Sequence, residues 1–230
     1  MAKHLDLEEQ EQLAELKHLW SQYGSLITWV LIVIFGALAA WNGYQYWTGQ
    51  QTSKASAMYD ELERAVQSGD NALVDRSFSD MQNRFGSTVY AHQAGLLVAK
   101  IYYDKGNNDA SKIALGWVVE KADEGYKSIA KLRLAGILLE TKQYDDALKL
   151  VSGDFPKDFS ALALDRRGDI LSAQGKKNEA KSEYEKAYKG LDETVEYRRL
   201  IEVKLNALGV DPRSADSNPE VSAPTSEFKK

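Results

Sequence analysis

Residues Gly168 to Ala187 read GDILSAQGKKNEAKSEYEKA, and this stretch contains the pattern that decides the fold of the chain. Small residues stand at Gly168 and Ala180, and a polar segment around Gly175 separates the two halves. In each half, apolar or small residues recur three or four positions apart, as they do along one face of a helix. The stretch therefore predicts two short helices joined by a tight turn.

The same pattern occurs at three earlier places in the chain. The equivalents of Gly168 are Ala135, Ala99 and, in a weaker match, Leu62, with spacings of 33, 36 and 37 residues. Seven positions further on comes the turn residue of each unit, and these residues are Gly69, Gly106, Lys142 and Gly175. A small residue lets the two helices of a hairpin approach closely. Because each hairpin leaves an apolar face that only a neighbour covers, several hairpins are needed together.

This unit resembles the tetratricopeptide repeat, a helix–turn–helix of about 34 residues. The resemblance implies an all-α fold, a solenoid of helical hairpins, whereas an all-helical bundle with accidental spacing is the alternative. Strands are not expected, because no alternating apolar run is joined to another by an Asn-Gly or Asp-Gly turn. The helical patterns cover Ser53–Gln67, Ala72–Arg84, Tyr90–Asp104, Asp109–Ala122, Tyr126–Thr141, Tyr144–Val151, Ser160–Gln174, Lys177–Lys189 and Thr194–Leu208.

Ahead of the repeats, Ser25 to Trp47 read SLITWVLIVIFGALAAWNGYQYW and contain no charged residue. A helix of this length is about 34 Å long and can cross a hydrocarbon core of about 30 Å. Tryptophan and tyrosine collect toward its ends, where aromatic rings sit at the headgroup level. The stretch predicts a transmembrane helix. Cleavage as a signal peptide after Ala39 is the alternative, but residues 1–24 hold five acids and two lysines, unlike a basic leader.

The chain thus divides into an arm over 1–24, a span over 25–47, a repeat domain over 48–208 and a tail over 209–230. The arm places Leu13, Leu16 and Trp20 on one helix face, which suits either a partner-binding arm or a solvated lead-in to the span. The tail holds three of the four prolines among polar residues and is predicted to be disordered. Lysines and arginines near the span are nearly balanced, so charge leaves its orientation undecided.

Composition excludes several functions. A net charge of −5 argues against nucleic acid, and the absence of cysteine excludes disulfides, thiolate nucleophiles and cysteine zinc sites. None of His4, His18 and His92 has a partner at metal-ligand spacing, and we interpret His92 as a surface or cap residue. No nucleophile or phosphate-loop motif occurs. We expect no catalysis, no cofactor and no metal.

Binding is expected in the concave groove that the first helices of the hairpins form in a solenoid. The predicted partner-binding residues of this groove are Gln93, Lys100, Tyr103, Asp165 and Asp169. Apolar positions predicted to face it are Leu96, Ile129, Leu132, Leu139 and Leu162. Packing against neighbouring helices is the alternative for Leu132 and Leu162.

The span itself offers a second candidate surface. Gly36, Ala40 and Gly43 stand at i, i+4 and i+7 and form one stripe of small residues. Such stripes allow close packing of helices in lipid, so this face is predicted to meet a partner span. The ordinary glycine and alanine content of membrane helices is the alternative explanation.

Taken together, the layout resembles the ancillary SecYEG translocon subunits. The residues that carry the resemblance are Glu15-Leu16-Lys17 and Tyr23-Gly24 ahead of the span, the exit from Ala40 to Trp47, and the degenerate repeats. It covers the chain up to about Leu208, and the proline-rich tail lies outside it.

The resemblance implies a single-pass protein of the bacterial inner membrane, with a cytoplasmic amino terminus and a periplasmic repeat domain. Its implied partners are the SecYEG translocon, a membrane-anchored periplasmic chaperone of the PpiD type, secreted client proteins and the lipid bilayer. The implied function is to help secreted proteins pass to periplasmic chaperones, without catalytic residues. A tetratricopeptide scaffold for cell-envelope assembly or division is the alternative. Delayed export in a deletion strain would favour the first function, whereas altered cell shape or division would favour the alternative.

Overall fold

The computed structural model describes residues 7–213, and over this range the chain is helical with no strand. The all-α prediction is confirmed. The helices are α1 Leu7–Ser68, α2 Asn71–Phe85, α3 Val89–Asp104, α4 Asn108–Lys121, α5 Glu124–Glu140, α6 Tyr144–Val151, α7 Lys157–Ala173, α8 Lys177–Gly190 and α9 Tyr197–Ala207. Their residues divide into two compact units, one up to Lys54 and one from Ala55 onward.

The first unit is the amino-terminal part of α1. It contains a stretch that is long and apolar enough to cross a membrane by length and composition, and almost none of that stretch is buried in protein. Trp29, Val33 and Phe35 each expose about two thirds of their surface. Such side chains are stable in lipid, where no water contacts them. Because α1 continues past both limits of the predicted span, the limits 25–47 stay a prediction. The predicted helix Ser53–Gln67 is the carboxy-terminal end of α1 rather than a separate element.

In the second unit, successive helices pack as antiparallel hairpins. The end of α1 joins α2 through the turn at Gly69 and shares a buried apolar cluster with it. The pairs α3–α4, α5–α6 and α7–α8 follow, and α9 packs on α8. Along one side of the array, the first helix α3 contacts α5, and α5 contacts α7. Three clusters of buried apolar residues run through the unit from Leu62 to Leu205. Leu134 and Leu148 each pack against two of these clusters and connect them into the continuous core that a stack of hairpins produces.

Helices α2 to α5 each follow a residue whose side chain caps the helix amino terminus. The side chains of Asp70, Thr88, Asn107 and Asp123 each accept a hydrogen bond from the backbone N–H three residues later, over 3.0 to 3.3 Å. These bonds satisfy N–H groups that have no partner inside the helix. The starts of α2 to α5 therefore lie within two residues of their predicted positions.

The hairpin turns repeat with the same geometry. Each turn residue has a positive φ between 60° and 78°, and these residues are Gly69, Gly106, Lys142 and Gly175. The next amide donates to the carbonyl five residues earlier, over 2.8 to 3.0 Å. This is the Schellman arrangement that ends a helix and reverses the chain. Lys142 holds, as a non-glycine residue, a conformation that favours glycine. The alignment of the four units is thus confirmed.

Close approach within a hairpin depends on the small residue of its first helix. A Cβ placed on Gly168 would lie 2.4 Å from Cε1 of the Tyr184 ring in α8. Ala135 and Ala99, at the equivalent positions, are at most 2% exposed. The predicted role of these positions is confirmed, because a larger side chain would push the two helices apart.

The start of the last helix differs from the prediction. Helix α9 begins at Tyr197 rather than Thr194, because the N–H and hydroxyl of Thr194 both donate to the Asp192 carboxylate in a turn. Its outer face also exposes Leu200 and Val203 beside its charged residues.

The first residues of the predicted tail belong to the folded domain. The Val210 N–H donates to the Leu205 carbonyl over 3.0 Å, and Pro212 is buried. The assignment of 209–213 to a disordered tail is therefore wrong, because these residues continue the folded structure beyond the end of α9. The predicted disorder of 214–230 lies outside the described residues.

We expect Gly168→Ala to destabilise the repeat domain by about 1–3 kcal/mol, because the new methyl group overlaps a ring that is fixed in the core. The matched control is Gly116→Ala in α4, where a Cβ meets no atom within 4 Å. That change should stabilise the domain by about 0.5–1 kcal/mol through helix propensity. Urea unfolding of the full chain in detergent micelles, followed by circular dichroism, measures both. Equal effects of the two substitutions would contradict the close-approach interpretation.

Candidate functional site: a groove along the first helices of the repeats

A cavity of about 360 Å³ lies along the first helices of three successive hairpins. Its walls come from α3, α5 and α7, and two residues of α4 contribute to its floor. The lining residues are Ala99, Lys100, Tyr103, Asp104, Ser111, Leu115, Arg133, Gly136, Ile137, Glu140 and Arg166. This is the side of the array on which the sequence predicts a binding groove.

Two of the predicted residues, Lys100 and Tyr103, lie in the α3 wall. The Tyr103 hydroxyl donates to both carboxylate oxygens of Glu140 in α5, over 2.7 and 2.8 Å. This hydrogen bond raises the pKa of Tyr103 above its ordinary value. Lys100 Nζ lies 2.5 Å from the Asp104 carboxylate. The α3 wall is thus joined to α5 by an exposed polar bridge.

The α5 and α7 walls contain two arginines that the sequence reasoning missed. Arg133 donates to the backbone carbonyl of Leu96 over 3.3 Å, and Arg166 lies 3.5 Å from the Asp169 carboxylate. The two arginines are 33 residues apart, which is the spacing of the repeats, so they hold the same position in successive units. That spacing was the signal that could have identified them.

The predicted apolar positions of α5 do not line the groove. Leu132 and Leu139 pack against the apolar cluster around Ala135 and Ile170 instead. For Leu132 the packing alternative is therefore the one observed. The groove positions of α5 are Arg133, Gly136, Ile137 and Glu140, on the neighbouring face of the helix.

Gln93 and His92 lie in the wall between α3 and α5, outside the cavity. Gln93 donates from Nε2 to the Tyr126 hydroxyl over 2.8 Å and is half-buried. His92 is 4% exposed, lies 3.1 Å from the Gly86 carbonyl through Nε2, and packs on the rings of Trp117 and Tyr126. The surface alternative for His92 is wrong, because its helix face points into this aromatic cluster. Its ring contacts the carbonyl of Gly86, the residue that follows the end of α2, as the cap alternative allows.

Asp165 and Asp169 form a buried charged cluster with α9. The Lys204 ammonium lies 2.8 Å from both Asp165 oxygens and 2.7 Å from Asp169. Tyr197 donates to Asp165 over 2.7 Å, and Tyr184 donates to Asp169 over 2.9 Å. Burial, reinforced by these acids, raises the pKa of both tyrosines.

Asp165 is 1% exposed, so its carboxylate serves the packing of α7 against α9 and is not accessible to a partner in this structure. Asp169 is half-buried and lies beside Arg166 at the edge of the groove. Partner binding by Gln93, Lys100, Tyr103 and Asp169 stays a prediction.

The small-residue stripe of α1 is uncovered in the described chain. A Cβ placed on Gly36 or Gly43 would meet no atom within 4 Å, and Ala40 between them is exposed. Elsewhere among residues 7–213, no group of three or more His, Cys, Asp or Glu side chains could hold a metal ion.

We expect Lys204→Met to destabilise the repeat domain by about 3 kcal/mol, because it leaves two adjacent carboxylates without their shared cation. This is the lower end for a broken buried pair, since the Lys204 side chain is 22% exposed. The control is Lys189→Met in α8, which removes an exposed lysine. The midpoint of urea unfolding measures the difference, and equal midpoints for the two variants would contradict the assigned role of the cluster.

Comparison with known proteins adds to this geometry. A family model described as a tetratricopeptide repeat-like domain matches residues 17–210. A Neisseria gonorrhoeae protein named "Ancillary SecYEG translocon subunit" is 29% identical over 210 residues, which cover 90% of this chain and 100% of the relative. An Escherichia coli protein of the same name is 28% identical over 210 residues, covering 88% of this chain and 97% of that relative. A Haemophilus influenzae protein, also of that name, is 29% identical over 203 residues, covering 88% and 98%.

These similarities confirm the resemblance to proteins of that name and the repeat pattern read from the residues. The matched segment includes the apolar stretch of α1 as well as every hairpin of the second unit. The chain belongs to the tetratricopeptide repeat-like domain family.

Proposed function

We propose that this chain is a membrane-anchored protein-interaction subunit of the bacterial Sec machinery. In this proposal it binds the SecYEG translocon and helps secreted proteins pass to periplasmic chaperones, among them a membrane-anchored chaperone of the PpiD type. The observation that carries the proposal is the similarity to proteins named ancillary SecYEG translocon subunit over nearly their whole length. The role is binding rather than catalysis.

The architecture supports this role. An apolar helix suited to the inner membrane precedes a solenoid, and solenoids bind proteins through extended concave surfaces. We assign 1–24 to the cytoplasm, 25–47 to the bilayer, and the repeat domain to the periplasm. The groove between α3, α5 and α7 is then available to secreted proteins or chaperones in the periplasm.

Within the bilayer, the stripe of Gly36, Ala40 and Gly43 is the proposed contact with a partner span. A close helix pair needs small residues on the contacting face, because dispersion and not the hydrophobic effect drives packing in lipid. The contact would tether the repeat domain to the translocon.

Orientation can be measured directly, because the chain contains no cysteine. We expect Lys189→Cys, in the repeat domain, to react with a membrane-impermeant maleimide in spheroplasts. Ser21→Cys, ahead of the span, should react only after the membrane is permeabilised. Both positions are exposed on the protein, so the membrane is the barrier that the reagent reports. The reverse labelling pattern would contradict the proposed orientation.

Translocon association can be tested by co-purification of SecYEG with the full chain after gentle detergent extraction. We expect Gly36→Leu combined with Gly43→Leu to reduce recovery of SecYEG several-fold, because leucines would separate the two helices. The control is Ala37→Leu, which adds a leucine about 100° around the helix from Gly36.

Two results would count against this account, each against a different part. Absence of SecYEG with the unaltered chain would overturn the proposed function. Equal recovery with the stripe variant and the control would overturn only the role of the stripe.

A further inference from the structure

The amino-terminal part of α1 presents an apolar face that lies ahead of the predicted span. Leu13, Leu16, Trp20 and Tyr23 follow one another at spacings of three, four and three residues, so they share one side of the helix. We call these four residues the arm seam. Each of them is 46% to 67% exposed. The described residues of this compact unit all belong to α1, so within the unit they supply no second element to cover the seam.

The bilayer cannot cover the outer half of the arm seam, because α1 is one unbroken helix. At a rise of about 1.5 Å per residue, Leu13 lies about 18 Å and Leu16 about 14 Å outside the predicted membrane limit at Ser25. Each interfacial layer of a bilayer is only about 5–8 Å thick. Even a helix tilt of about 40° leaves Leu13 about 14 Å beyond that limit. Both leucines therefore stand in water unless a protein covers them.

The charged residues of the arm show what kind of protein fits the seam. At about 100° per residue, Glu11 and Glu15 lie about 160° and 120° around the helix from the centre of the seam. One border of the seam holds Lys17, and the other holds Gln12 and Leu19. Between residues 11 and 24, the borders thus contain one cation and no acid. A partner helix of strong charge has little to recognise there.

A second copy of the chain meets these borders without repulsion. Two copies of a single-pass protein have the same orientation in a membrane, so their helices pair in parallel. In a parallel pair, each border of one helix faces the opposite border of the other. Lys17 then faces the second copy's Gln12, whose side-chain oxygen accepts a hydrogen bond from an ammonium group. The acids at 11 and 15 point away from the contact.

The membrane also favours this pairing. The spacing of the arm seam continues into the predicted span at Ile27, Val30 and Ile34. Anchoring both spans in one bilayer raises the effective concentration of each arm for the other, so that a seam of two heptads is sufficient. The small-residue stripe lies on a different side of α1, roughly 120–170° around the helix. One assembly can therefore contain both contacts.

We propose that two copies of this chain pair in parallel through the arm seam, beyond the membrane surface on the amino-terminal side. Pairing removes Leu13 and Leu16 from water and leaves the acids of both arms in solvent. The inference goes beyond the proposed function, because it requires only that α1 crosses the membrane and does not depend on SecYEG.

Single cysteines test the pairing in membranes, because the chain contains none of its own. We expect Leu16→Cys, oxidised with copper phenanthroline, to give a disulfide-linked product of twice the chain mass. Equivalent seam positions of a parallel pair bring two Cα atoms into the range of about 4.4–6.8 Å that a disulfide needs. The control is Glu15→Cys, the adjacent exposed position on the far side of the helix. We expect it to give at least tenfold less product.

A second measurement avoids any cysteine in the seam. We expect Leu13→Gln combined with Leu16→Gln to raise the dimer dissociation constant of the full chain in detergent micelles tenfold or more. Analytical ultracentrifugation measures this constant. The control combines Glu11→Gln with Glu15→Gln, which changes two exposed side chains away from the seam and should not weaken the dimer. Glutamine has nearly the helix propensity of leucine and glutamate, so both variants keep the helix.

Equal disulfide yields at positions 15 and 16 would indicate random collision and overturn the pairing. A cross-linked product of another mass would assign the seam to a different protein, and a monomer at all concentrations would leave the seam to solvent; either result overturns the inference. None of these results affects recovery of SecYEG with the unaltered chain, which tests the proposed function. Failure of the inference and failure of the function are therefore distinguishable.

Discussion

The close approach of two helices at a residue without a large side chain is the constraint on which the repeat domain depends. At Gly168, the ring of Tyr184 occupies the space where a Cβ would stand. Alanines at 99 and 135 have the same role in the preceding hairpins, and both are buried. Once the two helices are this close, their remaining apolar residues form a face that the next hairpin covers. The continuous core, and the alignment of α3, α5 and α7 along one side, follow from that contact.

Most of this architecture could be predicted from the sequence, because its determinants are local. The spacing of small residues and the turn positions at Gly69, Gly106 and Gly175 depend on backbone geometry, which neighbouring residues decide. Lys142 was placed correctly by alignment even though it is not glycine. The end of the domain was predicted less well, since the start of α9 depends on a turn at Asp192 and its closure on Pro212.

The groove was predicted only in part, because lining a cavity depends on which side of a helix faces its neighbours. Lys100 and Tyr103 lie where the repeat pattern places them. In α5, the neighbouring hairpin takes Leu132 and Leu139 into the core and turns Arg133 and Gly136 toward the cavity. A difference of about 100° per residue separates the two faces, so a repeat aligned to within one residue still misassigns them. Asp165 is predicted to lie at the groove surface, but α9 covers it. Its partner Lys204 is distant in the sequence, so no local pattern indicates the contact.

The cluster around Lys204 connects the last helix of the array with the electrostatics of the groove. Lys204 and Arg166 share the Asp169 carboxylate, with the lysine much the nearer. In a linear array, the terminal helix packs against the preceding hairpin only, and it therefore opens more readily than internal helices. Undocking of α9 would remove the lysine and leave Asp169 to attract Arg166 alone. Docking of α9 therefore affects how much positive potential Arg166 presents. Opening of the last helix would change the charge around this residue of α7.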